Sequence, residues 1–168
     1  MFARARRWFG KMRILGIDPG SRATGYGIID EQDGRLRFVC CGVIKTKSSD
    51  SLPVRLKEIY EGLCQIIATY HPGEAAVEDV FVSVNPRAAL KLGQARGAAI
   101  IAAMRNGLPV YEYGAKQVKL GVVGYGQAGK EQVQQVISML LQLTTAPSSD
   151  AADALALSVC HANRRGRL

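Results

Sequence analysis

Residues 12–30 read MRILGIDPGSRATGYGIID, in which two short apolar runs flank a segment of turn-forming residues. The first run, residues 13–18, has the composition of a buried strand, and residues 19–21 (PGS) favour a turn. The second run, residues 26–30, predicts a strand that returns beside the first. This stretch therefore predicts a β-hairpin, with Asp18 at the end of its first strand.

The residues after the hairpin predict one more strand and then an alternation of helices and strands. A third strand is predicted at residues 36–46, and apolar residues that recur every three or four positions predict a helix at residues 52–71. Later strands are predicted at residues 75–82 and 110–113, and helices at residues 88–106, 116–123, 130–143 and 150–163. An antiparallel meander followed by β-α-β-α-β favours parallel pairing in the second part. This order is typical of an α/β, ribonuclease H-like fold with a mixed five-stranded sheet and helices on both faces.

Length and composition predict one independently folding domain. The chain has 168 residues, of which 48% are hydrophobic, and this is enough to bury a core. We expect a folded domain over residues 12–163, a disordered basic extension at residues 1–11 and a basic tail at residues 164–168. No apolar run approaches the roughly 20 residues that span a bilayer, and the first residues lack the apolar stretch of a secretory signal. A cytoplasmic protein is expected.

The formal net charge of +8 favours a nucleic-acid partner, but the charge is unevenly distributed. The two terminal segments hold seven cations and no acids, so the predicted domain has 15 cations and 14 acids, a net charge of +1. Within it, residues 82–130 contain the single acid Glu112 and seven cations: Arg87, Lys91, Arg96, Arg105, Lys116, Lys119 and Lys130. This segment is either a nucleic-acid contact or an ordinary solvated surface, and charge alone does not choose between them.

Four carboxylates fall where predicted strands end or the last helix begins: Asp18, Glu78, Asp150 and Asp153. Each of the aspartates has an ordinary structural explanation, because Asp18 precedes a turn and Asp150 with Asp153 resembles a helix N-cap and its partner three residues on. Glu78 has none, since it lies in an apolar strand predicted to be covered on both faces. An unpaired carboxylate there costs on the order of several kcal/mol, so it needs a partner or a metal ion.

Taken together, two strand acids and a helix acid pair are what a two-metal phosphodiesterase site requires. Hard oxygen ligands favour Mg²⁺ or Mn²⁺ over zinc. Four cysteines without C-x-x-C spacing and only two histidines also argue against a structural zinc site. The set therefore predicts a divalent-metal nuclease, although no single member does.

Four segments are similar to the motifs of one known family, the RuvC family of bacterial Holliday-junction resolvases. They are LGIDPGSRATGYGII (15–29), VEDVF (77–81), ALKLGQARG (89–97) and DAADALAL (150–157). The resemblance covers about residues 12–161 and implies that Asp18, Glu78, Asp150 and Asp153 are the catalytic, metal-binding acids. It implies two Mg²⁺ ions per subunit, with Mn²⁺ able to substitute, and paired nicks across a four-way junction that leave 5′ phosphates.

The resemblance also implies DNA-contacting residues and partners. Phe81 matches an aromatic that inserts among bases at the crossover, although the sequence alone favours ordinary core packing for an aromatic at a strand end. Lys119 and Lys130 match basic residues near the scissile phosphate, and Arg87 and Lys91 of the basic segment are predicted DNA contacts. A homodimer is implied, as is association with the RuvA–RuvB branch-migration complex.

Two glycines in the predicted helix at residues 88–106 favour a close approach by another element. Gly93 and Gly97 each cost a helix roughly 1 kcal/mol relative to alanine, so a neighbouring helix or a dimer partner would explain them. The G-x-x-x-G spacing is most informative in membranes and is weak support in this chain.

Two other functions are compatible with parts of the pattern. An actin-like ATP-binding protein shares the hairpin in which an Asp-x-Gly turn meets a phosphate, but such proteins carry a second phosphate loop, and this chain has a single DPG. A module that binds branched DNA without cutting it is possible if the acids only cap helices and neutralise charge. The presence of all four acids favours the nuclease.

Overall fold

The structure is a computed structural model that describes residues 10–79 and 85–165. Within these ranges it contains five strands and five helices. In chain order they are β1 (Met12–Asp18), β2 (Ala23–Gln32), β3 (Arg35–Lys45), α1 (Leu52–Tyr70), β4 (Glu74–Asp79), α2 (Pro86–Arg105), β5 (Val110–Gly114), α3 (Ala115–Val123), α4 (Lys130–Leu140) and α5 (Ser149–Arg165).

The five strands form one mixed sheet with the order β3-β2-β1-β4-β5. The first three strands pair antiparallel as a meander, and β4 and β5 continue the sheet parallel to β1. In the parallel pair of β1 and β4, Ile17 lies opposite Val77. The next residues, Asp18 and Glu78, therefore come together at the carboxyl ends of neighbouring strands.

Helices cover both faces of the sheet, as predicted. One hydrophobic core packs α1 and α2 against alternate strand residues that include Leu15, Ile17 and Val77. The second core packs α3, α4 and α5 against the other set, which includes Ile14 and Ala76. Because side chains alternate along a strand, Asp18 and Glu78 belong to the second set and point to the face that α5 covers.

The close approach of α5 to the sheet depends on glycines in β1 and β2. A side chain at Gly16 would overlap the backbone carbonyl of Ala154, and one at Gly25 would overlap the backbone carbonyl of Asp150. A side chain at Gly27 would overlap Leu155. These three glycines form a trough in which α5 lies against the sheet, and the trough brings the first turns of α5 beside the end of β1.

Several predicted boundaries differ from the observed ones. The strand predicted at residues 75–82 is β4, which begins at Glu74, and its predicted end lies outside the described residues. The helix predicted to end at residue 143 ends at Leu140, because Gln142 adopts a left-handed backbone conformation with φ of 52°. The strand predicted at residues 26–30 is longer, since β2 follows β1 along its whole length.

The predicted disordered extension at residues 1–11 and the basic tail at residues 164–168 lie largely outside the described residues and stay predictions. Among the described residues, no helix is both long and apolar enough to cross a membrane.

Replacing Gly16 with alanine should destabilise the fold, because the added methyl group meets the backbone of α5 rather than a movable side chain. We expect a loss of about 1–3 kcal/mol in the free energy of unfolding, measured by chemical denaturation. Gly10→Ala is the matched control, since a side chain at Gly10 would meet no atom of the described residues within 4 Å and should leave stability unchanged. Equal stability of the two variants would contradict the close packing of α5.

Candidate active site

A cleft of about 240 Å³ opens at the carboxyl ends of β1 and β4. Its charged lining consists of three acids and two lysines, namely Asp18, Glu78, Asp153, Lys119 and Lys130. Its apolar walls come from Ala115 and Val118 of α3, Val133 of α4, and Ala156 and Leu157 of α5. Residues far apart in the chain therefore meet at one edge of the sheet.

Three acids of the cleft stand close enough to perturb one another. Burial raises the pKa of the Asp18 carboxyl, and the negative charges of Glu78 and Asp153, a hydrogen bond with Glu78 and the charge of Asp150 raise it further, to about 8. Burial also raises the pKa of Glu78, although the hydrogen bond with Asp18 and the positive charge of Lys130 oppose the shift. In the absence of a cation, the Asp18 carboxyl therefore keeps at neutral pH a proton that an isolated carboxyl group would have lost.

Lys130 supplies the principal positive charge inside the cleft. It is the first residue of α4, and its Nζ donates a hydrogen bond to Oδ2 of Asp153 over 2.7 Å. This bond, with the charges of Asp153, Asp18 and Asp150, raises the pKa of the Lys130 ammonium group despite partial burial. Lys119 lines the same cleft from α3. One directly paired ammonium group is too little positive charge for this many carboxylates.

The donor set fits a divalent cation of the hard type. Every candidate ligand is a carboxylate oxygen, and a cation would relieve the repulsion that keeps Asp18 protonated. Within residues 10–79 and 85–165, no three His, Cys, Asp or Glu side chains already surround a single point at metal-ligand spacing. Asp153 is hydrogen-bonded to Lys130, and Asp150 does not line the cavity.

Comparison with known proteins agrees with this geometry. Residues 14–161 match the family model described as crossover junction endodeoxyribonuclease RuvC. The chain belongs to the RuvC family. A crossover junction endodeoxyribonuclease RuvC of Geobacter metallireducens is 57% identical over 155 residues, which are 92% of this chain and 94% of that protein. The RuvC of Cupriavidus metallidurans is 55% identical over 152 residues, covering 90% of this chain and 84% of that protein.

A solved structure of T. thermophilus RuvC in complex with Holliday junction substrate superimposes with a TM-score of 0.87. The two proteins are 35% identical, and the match covers 92% of this chain and 94% of that chain. The predicted ribonuclease H-like fold and the predicted RuvC family are both confirmed. Relatives named as crossover junction endodeoxyribonucleases also favour the nuclease over the actin-like and non-cleaving alternatives.

The structure brings together some of the predicted site residues of this RuvC-family chain and not others. Asp18, Glu78, Asp153, Lys119 and Lys130 share the cleft, whereas Asp150 acts on Asp18 through its charge without lining it. Arg87 and Lys91 are exposed near the start of α2 and do not line the cleft. Phe81 lies outside the described residues, so its predicted role stays a prediction.

The capping and turn contacts that were considered for the aspartates are made by other residues. The amide of Ala151 donates to the hydroxyl of Ser148 over 3.5 Å, so the N-terminal turn of α5 uses Ser148, and the N-cap assignment of Asp150 is wrong. In the turn after Asp18, the hydroxyl of Thr24 both donates to the carbonyl of Gly20 and accepts from its amide. These contacts leave the Asp18 carboxylate available to the cleft.

One residue beside the cleft was not singled out from the sequence. Arg96 of α2 donates from Nε to the backbone carbonyl of Glu78 over 2.9 Å. Nothing in the sequence separates Arg96 from the other cations of residues 82–130, because its contact is with a backbone atom. Its arginine type alone predicts a multiple donor, but not the acceptor.

The raised pKa of Asp18 predicts a pH-dependent stability in metal-free protein. An acid whose pKa rises on folding lowers the stability of the folded state as pH increases from its unfolded value, about 4, toward about 8. Asp18→Asn removes this contribution. Its melting temperature in a chelator should therefore exceed that of the wild type by an amount that grows between about pH 5 and pH 8.

Asp50→Asn, which lies outside the cleft before α1, is the control for this measurement. Its melting temperature should follow the wild-type pH profile. If Asp18→Asn instead has the same pH profile as the wild type, the environment of Asp18 does not raise the pKa of its carboxyl.

Proposed function

We propose that the protein resolves four-way DNA junctions as a metal-dependent endonuclease that makes paired, symmetric nicks and leaves 5′ phosphates. The observation that carries this proposal is the cleft in which acids from β1, β4 and α5 meet two lysines at an open edge of the sheet. Membership of the RuvC family supplies the substrate class. The T. thermophilus relative, whose solved structure contains a Holliday junction substrate, supports the same choice of substrate.

Asp18, Glu78, Asp150 and Asp153 are the residues that would hold the metal. We propose two Mg²⁺ ions per subunit, with Mn²⁺ able to substitute, because the candidate ligands are all carboxylates. When bound, the ions supply positive charge that stabilises the phosphate as charge develops on it. The acids supply the opposite charge that retains the ions at the ends of β1 and β4.

The lysines and the apolar walls act on the DNA backbone. A phosphate that enters the cleft would meet Lys119 and Lys130 as well as the three acids, so its negative charge has partners other than a metal ion. Lys130 donates to Asp153, and if Asp153 held a cation the ammonium group would be available for a phosphate oxygen. Val118, Val133 and Leu157 form apolar walls of the same space.

Residues beyond the cleft extend the proposed DNA contact. Arg87 and Lys91 are exposed on the first turns of α2, which follows the segment that leaves β4 directly after the acids. We propose that they bind phosphates of the DNA arms and that Phe81 inserts among the bases at the crossover. The cytoplasmic location and the association with the RuvA–RuvB complex are proposed on family membership.

One face of α2 supports a homodimer. Leu90, Ile101 and Met104 are 69%, 57% and 55% exposed, and at roughly 100° per residue they lie on one side of the helix. Gly93 and Gly97 lie on the same side, and a side chain at either would meet no atom of the described chain within 4 Å. The predicted close neighbour of these glycines is therefore not an element of the same described subunit. A second copy would fill this space and place two cut sites about a two-fold axis.

The nuclease proposal predicts that Asp18→Asn binds a synthetic four-way junction but does not cut it. Removing a direct metal ligand should lower the nicking rate by more than the roughly 10–100-fold that follows loss of an outer-shell partner. The measurement combines a gel-shift titration with strand mapping of end-labelled junctions in Mg²⁺. Asp50→Asn, which keeps all four acids, should cut at the wild-type rate.

The pattern of strand breaks separates the alternatives in the same experiment. Paired nicks in strands of like polarity, with ligatable ends, support the proposal. Wild-type protein that binds the junction in Mg²⁺ and leaves it intact would instead identify a non-cleaving binding module.

The dimer proposal predicts that Met104→Glu weakens self-association, because a charge would be buried against the partner. We expect the dimer dissociation constant to rise by at least about tenfold in analytical ultracentrifugation. Met139→Glu is the matched control, since Met139 is 75% exposed on α4, away from the α2 face. An unchanged association constant for Met104→Glu would exclude this face as the interface.

A further inference from the structure

Arg96 connects α2 to β4 and β5, the two strands that run parallel to β1. Its Nε donates to the backbone carbonyl of Glu78 over 2.9 Å. Its Nη2 lies 2.8 Å from Oε2 of Glu112 in β5 and 3.5 Å from Oδ1 of Asp79 in β4. The side chain is only 20% exposed, so these contacts form largely out of solvent. A single guanidinium group thus binds the last residues of β4 and a neighbouring residue of β5.

The contacts of Arg96 differ in kind, and one of them is a directional hydrogen bond. Nη2 is buried without a well-aligned hydrogen bond, so Glu112 and Asp79 attract it mainly through charge. The bond from Nε to the Glu78 carbonyl is the directional contact. The carbonyl and the cleft carboxylate both belong to Glu78. Holding the carbonyl therefore restricts the backbone position from which the Glu78 side chain extends.

The surroundings of Arg96 make this bond more than a local link. α2 packs mainly on α1 and touches β4 and β5 much less. On the helix, Arg96 stands between the buried alanines, such as Ala95 and Ala99, and the exposed face that contains Gly93. The same helix therefore offers an open face to a partner and a polar contact to the strand that ends in Glu78.

We propose that Arg96 is a positioning residue that holds the backbone of Glu78, and through it the Glu78 carboxylate, in the arrangement that receives a divalent cation. The inference rests on the proposed function, in which Glu78 is a metal ligand. Arg96 itself does not touch the metal site, since its guanidinium reaches the carbonyl and not the carboxylate of Glu78. Displacement of α2 changes the metal site by moving Arg96.

An arginine is required for this role because the guanidinium group presents several donors in a rigid plane. Nε can hold the carbonyl while Nη2 faces two carboxylates, whereas the single ammonium group of lysine cannot reach both sites with fixed geometry. Arg96→Lys keeps the charge near Glu112 and loses the directional bond. Arg96→Gln loses the charge as well.

Binding of Mg²⁺ is measured by the rise in melting temperature on titration and by the half-saturating Mg²⁺ concentration for junction nicking. Both Arg96 variants should require about 10–100-fold more Mg²⁺ than the wild type, as is typical when a residue that orients a ligand is lost. Their binding of the junction in a chelator should stay within about twofold of wild type, because Arg96 is not placed on the DNA. High Mg²⁺ should restore much of the nicking rate.

Two variants provide controls. Glu112→Gln removes the charge partner of Nη2 but leaves the bond to the Glu78 carbonyl, so its Mg²⁺ requirement should stay within about twofold of wild type. Arg105→Gln makes the same chemical change at an exposed position of α2 and should not alter the Mg²⁺ response.

A merely structural Arg96 gives a different result. Melting temperatures of the metal-free variants would fall, while the half-saturating Mg²⁺ concentration of the folded protein stayed at the wild-type value, and this outcome would overturn the inference. If Arg96→Gln does not fold, the charge-conserving Arg96→Lys decides by the same criterion. Wild-type protein is measured in parallel, and its failure to bind Mg²⁺ or nick the junction would overturn the proposed function instead.

Discussion

The packing of α5 into a glycine trough is the contact on which the rest of the site depends. Gly16, Gly25 and Gly27 lack the side chains that would hold the helix away from β1 and β2. Without this approach, Asp153 would not stand beside Asp18, and the cleft would lose the acids of one of its three elements. Dispersion forces and apolar burial along α5 supply the stabilisation, because its residues from Ala151 onward are almost continuously buried. Hydrophobic packing in the body of the helix thus brings like charges together at its beginning.

The electrostatic cost of that arrangement is visible on β4, where two glutamates on the same face have pKa values shifted in opposite directions. Glu74 is buried, which raises its pKa, but hydrogen bonds from His161 and Arg165 outweigh burial and lower it. Glu78, four residues later, has no such pair of donors, and burial together with the charge of Asp153 raises its pKa despite the hydrogen bond with Asp18 and the charge of Lys130. The end of α5 near Arg165 is therefore tied to the sheet by ion pairs with Glu74, whereas at the other end Asp153 meets two further acids and one directly paired lysine, Lys130. A cation near Asp153 would balance the carboxylates there, as Arg165 and His161 balance Glu74 at the other end of α5.

The fold followed from the sequence because its determinants are local and periodic. The hairpin at Asp18, the three-and-four spacing of α1 and the later strand-helix alternation each repeat over enough residues to predict an element, and the observed sheet order agrees. Glu78 could be chosen because an unpaired carboxylate in a covered strand is costly, and the three aspartates only because they complete a metal-binding set with it. The trough had a weaker indication, since glycines inside a strand, as at Gly25 and Gly27, mark a close approach without naming what approaches. Nothing in the sequence indicated the cap at Ser148 or the bond from Arg96, because each depends on distances between groups that sequence spacing does not specify.

Charge distribution in the folded chain also changes which cations matter. The terminal segments account for most of the net charge, but the cleft uses Lys130 and Lys119 from α4 and α3, whose positions relative to β1 and β4 are fixed by the core. A lysine held by packing adds its charge at one place, whereas the same charge on a solvated segment is spread and screened. Lys130 begins α4 and is bound to Asp153, so its ammonium group already occupies the acid cluster before any ligand arrives. The cluster can therefore exist in the metal-free protein because one cation, supplied by the chain itself, reduces the repulsion that a divalent ion would remove.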